Sequence, residues 1–348
     1  MSISAIRERL EQELLAFAWE EWSQLGILAA PESQSGWAQD IEAVLLLTFE
    51  VARADPRLFD EVLDWLVTNE RFISVRRLRT LAKHGDDPSL ADAVLEWLAQ
   101  HRPQARFSKS DGHAQPGTQR RLFFDEGFPV RHPDDAFAKH GWLRSTAEPT
   151  EKSSTVNLRT PIAFGLRLRR LLGTGARAEV MRFLLCTDSP RSTAAVIARS
   201  AAFTKRNVQE ALYELGDAGV VTTASTGYDV RYSADHARWA TLLDHEGPFP
   251  IHVDWLQLLG ALTRILRWLR TDATAQTSEY LQASAARTLI DATRQDLQWA
   301  GITAPSSQTS ADALRDLDEI VTSSLQLLHR KRSPGTPGAA KQSIRPTA

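Results

Sequence analysis

Residues 176–232 read ARAEVMRFLLCTDSPRSTAAVIARSAAFTKRNVQEALYELGDAGVVTTASTGYDVRY, and their pattern indicates the fold of the middle of the chain. Apolar residues at helical spacing predict a first helix over residues 176–185. The Asp-Ser-Pro run at 188–190 breaks that helix. Ser192 and Thr193 can then cap a short second helix over residues 194–200.

A third helix is predicted over residues 205–218, with Thr204 in the position of its N-cap. Its apolar residues recur at helical spacing and are Val208, Ala211, Leu212 and Leu215. Its opposite face carries polar and cationic residues, which are Lys205, Arg206, Gln209 and Tyr213. Gly216 and Gly219 mark the end of the helix.

A β-hairpin is predicted after the third helix. Residues 220–224 are rich in β-branched side chains, and residues 228–232 alternate between the two faces of a strand. Ser225, Thr226 and Gly227 form the turn between them. Three helices followed by a hairpin wing are the elements of a winged helix-turn-helix. We therefore expect a mainly α fold with a central winged helix and helical flanking regions.

The start of the third helix has the chemistry of a DNA-reading surface. A short helix fixed against a second one presents its N-terminal end to the major groove, and that end also favours a phosphate. The side chains expected to contact bases or phosphates are Thr204, Lys205, Arg206, Asn207, Gln209 and Tyr213. On the wing, Thr226 at the turn and Arg231 are expected to lie close to the DNA backbone or the minor groove.

The run TKRNVQEAL at 204–212, followed by Gly219, Val220 and Val221, resembles winged-helix bacterial transcription regulators of the MarR and ArsR kind. The resemblance covers residues 165–240 and does not extend to the flanking regions. It implies a homodimer on a near-palindromic operator, with the third helix as the reader. Ala202 departs from the pattern, because such turns usually carry glycine, which eases a left-handed backbone.

A basic strip precedes the first helix of this pattern. Residues 152–182 hold seven cations and one acidic residue, Glu179. Arg167, Arg169 and Arg170 are its densest part, and they are candidate phosphate contacts whose binding would weaken with salt. The alternative is the solvated face of a helix, and the sequence does not separate the two.

The distribution of charge supports the same assignment. The net charge of the whole chain is −2. Residues 1–100 carry 9 Lys and Arg against 18 Asp and Glu, whereas residues 101–240 carry 21 against 14. The middle of the chain is therefore the basic part, which is the sign expected of a surface that meets phosphates.

Helical periodicity and composition divide the chain into five regions. Residues 1–100 are expected to form an acidic helical domain, and residues 101–164 a Pro- and Gly-rich linker with ordered pieces. The winged helix is assigned to residues 165–240. Residues 250–330 are expected to be helical, and residues 331–348 to be a disordered basic tail.

Two sets of large apolar residues have alternative interpretations. The stripe along residues 255–269 fits either a dimer helix or intrachain core. Trp19, Trp22 and Trp37 fit either the lining of a ligand pocket or, as is more usual for tryptophan, the core.

Several classes of site lack their residues. Cys186 is the only cysteine, so a disulfide within the chain and a cysteine-based zinc site are excluded, and we interpret Cys186 as a small buried apolar residue. Asp134 and Asp135 near His132 and His140 have no helix or strand context that would support a metal site. No nucleotide loop or catalytic constellation is recognisable, so no cofactor and no catalytic residue is predicted.

The sequence also shows no hydrophobic run of membrane-spanning length and no N-terminal signal peptide. We therefore expect a cytoplasmic protein that binds double-stranded DNA as a homodimer and regulates transcription, and not an enzyme. The alternative is a protein-interaction or antitoxin-like component of a bacterial defence module, which would bind a protein partner through residues 1–100. An enzyme within residues 1–158 is a third hypothesis.

Overall fold

The structure is a computed structural model, and it describes residues 2–84, 88–102, 119–124, 129–189, 191–226, 229–271, 278–305 and 312–330. Fourteen α-helices and a few short strands make up this part of the chain, so the mainly helical class is confirmed.

Five helices form the N-terminal part, and they are α1 (Ile3–Leu25), α2 (Ile41–Val51), α3 (Pro56–Asn69), α4 (Val75–His84) and α5 (Ser89–His101). Local signals explain where they begin. Ser2 accepts a hydrogen bond from the Ala5 backbone at the start of α1, and Asp55 accepts one from Leu58 at the start of α3, where Pro56 is the first residue. Each cap satisfies a backbone donor that the helix leaves without a partner.

The C-terminal helices pack on the same core as the N-terminal ones. They are α12 (Trp255–Arg270), α13 (Glu279–Trp299) and α14 (Ala313–Leu328). Leu258, Leu262 and Ile265 are completely buried against α1 and α2. The apolar stripe of residues 255–269 is therefore intrachain core, and its interpretation as a dimer helix is wrong.

The tryptophans near the N-terminus are part of this first core. Trp22 is completely buried, packs edge-on against Trp65 at 5.0 Å between ring centroids, and donates a hydrogen bond of 2.7 Å to Thr48. Trp37 lies 5.2 Å from Trp255. Trp19 is half-buried and donates to a carboxylate at the start of α3. Trp22 and Trp37 therefore belong to the first core, and Trp19 packs against it.

Glu21 is a buried carboxyl group of α1 whose hydrogen-bond donors are all neutral. It accepts hydrogen bonds from Ser35 Oγ at 3.1 Å, from Trp37 Nε1 at 3.1 Å and from Gln39 Nε2. Burial disfavours the charged form, and the hydrogen bonds offset this only in part, so the pKa of Glu21 is raised from 4.5 to about 7.

We expect Glu21→Gln to remove a pH dependence of the free energy of unfolding. Because the pKa of Glu21 is higher in the folded state, its contribution is fully present below pH 4.5 and is lost as the pH rises through 7. Urea unfolding gives the free energy of unfolding of both proteins at pH 5 and at pH 8. The decrease in this free energy from pH 5 to pH 8 should be smaller by about 2 kcal/mol in the variant than in the native protein. Equal decreases in both proteins would contradict this assignment.

The segment that follows α5, up to residue 163, contributes to the first core where the structure describes it. Its short elements are β1 (Arg120–Arg121), α6 (Asp135–Lys139) and β2 (Trp142–Leu143), and β1 pairs with β2 in parallel. Leu122, Phe123 and Phe137 are buried, so the ordered pieces of the predicted linker pack against the helices. Residues 103–118 and the predicted basic tail at 331–348 lie outside the described residues.

The central part follows the order predicted from residues 176–232. Its elements are α7 (Phe164–Leu172), α8 (Ala176–Cys186), β3 (Ser192–Thr193), α9 (Ala194–Ala201), α10 (Lys205–Asp217), β4 (Val221–Thr226), β5 (Asp229–Ala234) and α11 (His236–Leu243). The strands form an antiparallel sheet in the order β3-β5-β4, with Thr223 opposite Tyr232. The sequence analysis missed α11, which Asp235 caps and Trp239 and Leu243 anchor.

A second core lies beneath α8, α9 and α10, and α7 lies between the two cores. Leu166 of α7 belongs to the first core, whereas Phe164 and Leu168 belong to the second. Helix α7 passes close to α8, since a Cβ atom at Gly165 would lie 2.9 Å from Cδ of Arg182. The second core is thus attached to the first by tightly packed helices.

None of the helices in the described part of the chain has the length and apolar character needed to cross a membrane.

Candidate nucleic-acid interface

The first turn of α10 is exposed and capped. Thr204 Oγ1 accepts a hydrogen bond of 3.2 Å from the backbone N–H of Asn207. The side chains of Lys205, Arg206 and Gln209 are exposed, and that of Asn207 is half-buried. Four of the predicted contact residues are therefore exposed at the N-terminal end of α10, and they are Thr204, Lys205, Arg206 and Gln209.

Apolar residues beneath α10 fix this edge in place. Val208 is completely buried, and Leu212 and Leu215 are buried in the second core. Tyr213 lies on the opposite side and is 76% exposed. Because the apolar face of α10 is buried in the second core, the polar face on the opposite side points outward.

The charge on the outer face of α10 changes sign along the helix. Lys205 and Arg206 are at its start, and Arg206 forms an exposed ion pair of 3.0 Å with Glu210. Glu214 follows one turn later and pairs with Arg177 at 3.3 Å. Such exposed pairs contribute little to stability, so their side chains can exchange partners when another charged surface approaches. The cationic part of this face is confined to the first turn.

The turn between α9 and α10 has a left-handed residue. Ala202 has φ 54° and ψ 44°, which is the conformation that the position was expected to require. An alanine in this region costs about 1–2 kcal/mol, because its Cβ approaches the following carbonyl oxygen. Although alanine replaces the glycine that is usual in such turns, the backbone at residue 202 keeps the left-handed conformation.

We expect Ala202→Gly to stabilise the protein by about 0.5–1 kcal/mol, since relief of the left-handed strain exceeds the entropy that glycine loses on folding. Urea unfolding monitored by circular dichroism measures the difference. Ala237→Gly is the matched control, because Ala237 is exposed within α11 and its change should destabilise by about 0.5–1 kcal/mol. A loss of stability in both variants would show that the turn is not strained.

The hairpin presents one of the two predicted wing residues. Arg231 is exposed on β5, opposite Thr193 of β3 and Ala224 of β4. Thr226 pairs with Asp229 through the backbone, but its side chain lies outside the described set.

The three arginines of the predicted strip lie in different environments. Arg170 is exposed, Arg167 is half-buried and donates to the carbonyl oxygen of Leu243, and Arg169 is buried. Arg182, also counted in the strip, is buried as well. Both readings of the strip, as a phosphate surface and as a solvated face, are therefore wrong for Arg169 and Arg182. Their carboxylate partners hold them inside the protein.

Six buried charged side chains form a network between the two cores, which we call the buried ion cluster. Its members are Asp40, Glu42, Arg77, Arg169, Glu179 and Arg182, and none of the six side chains is more than 4% exposed. Three guanidinium groups balance three carboxylates, so burial of the cluster leaves no net charge among these six.

The pairs of the cluster are bidentate or shared. Arg77 contacts both oxygens of Asp40, at 2.6 and 2.7 Å, and Arg169 contacts both oxygens of Glu42, at 2.6 Å each. Arg182 joins Glu179 at 2.9 Å to Asp40 at 3.0 Å. The carboxylates Asp40 and Glu42 come from the start of α2, whereas Glu179 lies on α8, so the cluster attaches the second core to the first.

Electrostatic attraction keeps these carboxylates ionised despite burial. Burial alone would raise the pKa of Asp40, but Arg77 and Arg182 outweigh it and hold the pKa well below its usual range. For Glu179, Arg169 and Arg182 likewise outweigh burial and lower the pKa to about 2. Asp40 and Glu179 therefore remain charged at neutral pH.

The cluster also reaches the turn before α10. Arg77 Nε donates a hydrogen bond of 2.9 Å to the carbonyl oxygen of Ala201, the last residue of α9. The start of α10 is thus fixed on one side by its apolar anchors and on the other by a charged contact with α4. Sequence analysis missed this link, although acidic residues at the start of the apolar α2 run were a signal for buried partners.

No cluster of three metal-ligating side chains occurs among the residues that the structure describes. Asp134 accepts hydrogen bonds from the backbone of Ala136 and Phe137 and so caps α6. Cys186 is buried, and burial raises the pKa of its thiol to about 12. A thiol that stays protonated is unreactive, which supports its interpretation as a packing residue.

Comparison of the chain with protein-family models, with curated proteins and with solved structures found no match.

Proposed function

We propose that residues 165–240 are a winged helix-turn-helix and that the protein is a DNA-binding transcription regulator. The observation that carries the proposal is the exposed first turn of α10, where Lys205, Arg206 and Gln209 project from a capped helix start. The helix N-terminus and these side chains together favour a phosphate or a base edge.

The order of the surrounding elements supports this assignment. Helices α8, α9 and α10 share one core, and β3 pairs with β5, the central strand of the sheet. The outer strand β4 contacts α10, so the hairpin lies beside that helix. In a winged helix the third helix lies in the major groove while the hairpin contacts the backbone or minor groove. Arg231 on the hairpin and Arg170 near the end of α7 are exposed cations, and we propose them as further phosphate contacts of such a site.

The test is binding to mixed-sequence duplex DNA over a range of salt concentrations. We expect the double variant Lys205→Ala and Arg206→Ala to bind about 10- to 100-fold more weakly at low salt. The slope of log K against log salt should also become less steep by about 2, because two phosphate contacts are lost. Fluorescence anisotropy with a labelled duplex measures both quantities.

A matched double variant removes two cations elsewhere. Arg315 and Arg330 are exposed on α14, which packs against α1, α12 and α13, and just after its end. Arg315→Ala with Arg330→Ala should therefore leave binding nearly unchanged. Equal weakening by the two double variants would show that binding follows net charge alone. No weakening by the α10 variant would remove α10 from the proposed role.

A second candidate is a protein-interaction or antitoxin-like module, and the acidic second half of α10 favours it. Glu210 and Glu214 are exposed on the face that would enter the groove, where they would repel phosphates. Purification from the native host separates the two functions. A stoichiometric protein partner with weak DNA binding supports the module, and a DNA-bound homodimer supports the regulator.

A further inference from the structure

A large groove runs along α12, between the first core and the turn before α10; we call it the α12 groove. Its volume is about 1280 Å³. The α12 residues that line it run from Leu256 to Arg270, which is about 20 Å at the rise of an α-helix. The groove is therefore long enough for an extended chain molecule.

The middle of the α12 groove is apolar and open. Leu46, Leu81 and Leu259 are among its lining residues. Gly260 is exposed on its floor, and a Cβ atom added there would meet no heavy atom within 4 Å. A glycine inside a helix costs about 0.5–1 kcal/mol relative to alanine, so packing within the protein does not explain its presence.

One end of the α12 groove is rich in arginine. At this end Arg267 and Arg270 share the buried Glu50, at 2.6 and 2.7 Å. Arg53 lies beside them and forms no ion pair with any described residue; its Nε donates to the carbonyl oxygen of Leu122.

Aromatic rings hold the Arg53 guanidinium in position. It lies 4.4 Å from the ring centroid of Phe124 and 5.1 Å from that of Trp142. Burial lowers the pKa of Arg53, and Glu50 counteracts this only in part. The nearby Arg270 lowers the pKa further, because the two cations repel each other. An anion would relieve this repulsion.

The other end of the α12 groove reaches the proposed DNA-binding region. Ala198, Ala202, Phe203 and Thr204 line it there. These residues include the end of α9, the left-handed turn and the cap of α10. A molecule that fills the groove therefore contacts the residues that set the direction of the α10 start.

We propose that the α12 groove binds an amphipathic anion, with an apolar chain along α12 and a single carboxylate or phosphate group beside Arg53. The apolar floor at Gly260 accommodates the chain, and Arg53, which has no ion-pair partner among the described residues, selects an anionic head group. Guanidinium groups bind both carboxylate and phosphate in a bidentate manner, so the geometry defines the shared chemistry of the two.

Isothermal titration of the full chain with dodecanoate, dodecyl phosphate and the neutral dodecanol tests this site. We expect saturable binding of at least one anion and at least about tenfold weaker binding of dodecanol. Binding of dodecyl phosphate alone identifies a phosphate monoester as the ligand type, and binding of dodecanoate alone a carboxylate. Equal binding of dodecanol, or saturation by none of the three, overturns the proposal.

Two variants locate the ligand. Gly260→Leu adds a side chain whose Cβ atom meets no heavy atom within 4 Å, and leucine favours the helix, so the fold should persist while binding falls by at least about tenfold. Ser284→Leu, on the exposed side of α13, is the matched control and should bind normally. Arg53→Gln should weaken the anions but not dodecanol, and Arg53→Lys should recover part of the loss. Undiminished binding by Gly260→Leu places the ligand elsewhere and overturns the site.

Coupling to DNA rests on the proposed function and has its own readout. We expect the anion that binds to change the DNA affinity of the native protein by about 5-fold or more, and to leave that of Gly260→Leu unchanged. Anion binding without any DNA binding refutes the proposed function while the site stands. DNA binding that is indifferent to the bound anion refutes the coupling, and DNA binding with no anion binding refutes the site alone.

Discussion

Glu42→Gln is expected to lower the free energy of unfolding by about 3–5 kcal/mol. Glu42 is completely buried, and its two oxygens accept from Arg169 at 2.6 Å each, from Arg77 at 2.7 Å and from the backbone of Ser74 at 2.8 Å. The glutamine side chain has nearly the same shape as glutamate, but it carries no negative charge. Its NH₂ group is a hydrogen-bond donor and would face the guanidinium groups of Arg77 and Arg169. One cation of the buried ion cluster is then left without compensation.

Urea unfolding measures this loss, and Glu214→Gln is its matched control. Glu214 is 57% exposed and pairs with Arg177 on the surface, so the same chemical change should cost less than about 1 kcal/mol there. Similar losses in both variants would mean that the cluster contributes no more than a surface pair.

A double variant distinguishes the loss of the attraction between Glu42 and Arg169 from the cost of a buried cation that has no counter-charge. Glu42→Leu with Arg169→Leu removes one anion and one cation, so Asp40, Glu179, Arg77 and Arg182 remain balanced. We expect the double variant to be more stable than the sum of the single losses predicts, by at least about 1.5 kcal/mol. Additive losses would contradict a charge-balance origin of the effect.

The third helix was predictable from sequence because its determinants are local. Thr204 at the cap and Val208, Leu212 and Leu215 on one face lie within twelve residues, and spacing alone decides which side they cover. The left-handed turn at Ala202 was expected from the resemblance to winged-helix regulators, whose turns usually carry glycine at this position. The spacing of Trp239 and Leu243 was the same kind of signal for α11. That helix was not predicted, because it begins two residues after the end of β5.

The burial of Arg169 was not predictable in this way. Its partner Glu42 lies 127 residues away in the sequence, and helical periodicity shows which residues share a face but not what covers that face. A run of arginines therefore suggests a solvated or phosphate-binding surface until the carboxylates opposite them are located. The α12 groove is non-local for the same reason, since α2, α4, α9 and α12 all contribute to its walls.

Asp64→Asn should give the second large effect, a loss of about 3 kcal/mol in the free energy of unfolding. Asp64 is buried on α3, and its carboxylate accepts four successive backbone N–H groups of residues 150–153, at distances of 2.6, 2.7, 3.0 and 2.8 Å. Consecutive N–H groups that converge in this way form an anion-binding nest. The nest also accounts for the left-handed φ of 55° at Glu151.

The magnitude follows from the donors that asparagine cannot satisfy. Its side chain keeps one acceptor oxygen, so two of the four N–H groups face an NH₂ group, and each unsatisfied buried donor costs about 1–3 kcal/mol. Burial would raise the pKa of Asp64, but the backbone donors outweigh it and lower the pKa. The contribution of Asp64 is therefore fully present above the ordinary value of 3.8 and is lost as the pH falls through the lowered pKa.

Asp291→Asn is the matched control for this prediction, because Asp291 is 58% exposed and pairs only with Arg294 among the described residues. That variant should lose less than about 1 kcal/mol, and hydrogen exchange at residues 150–153 should stay slow. In Asp64→Asn the same amides should exchange faster, since a segment without regular secondary structure depends on this carboxylate for its conformation. Unchanged exchange at residues 150–153 would show that packing of neighbouring apolar residues, and not Asp64, holds the segment against α3.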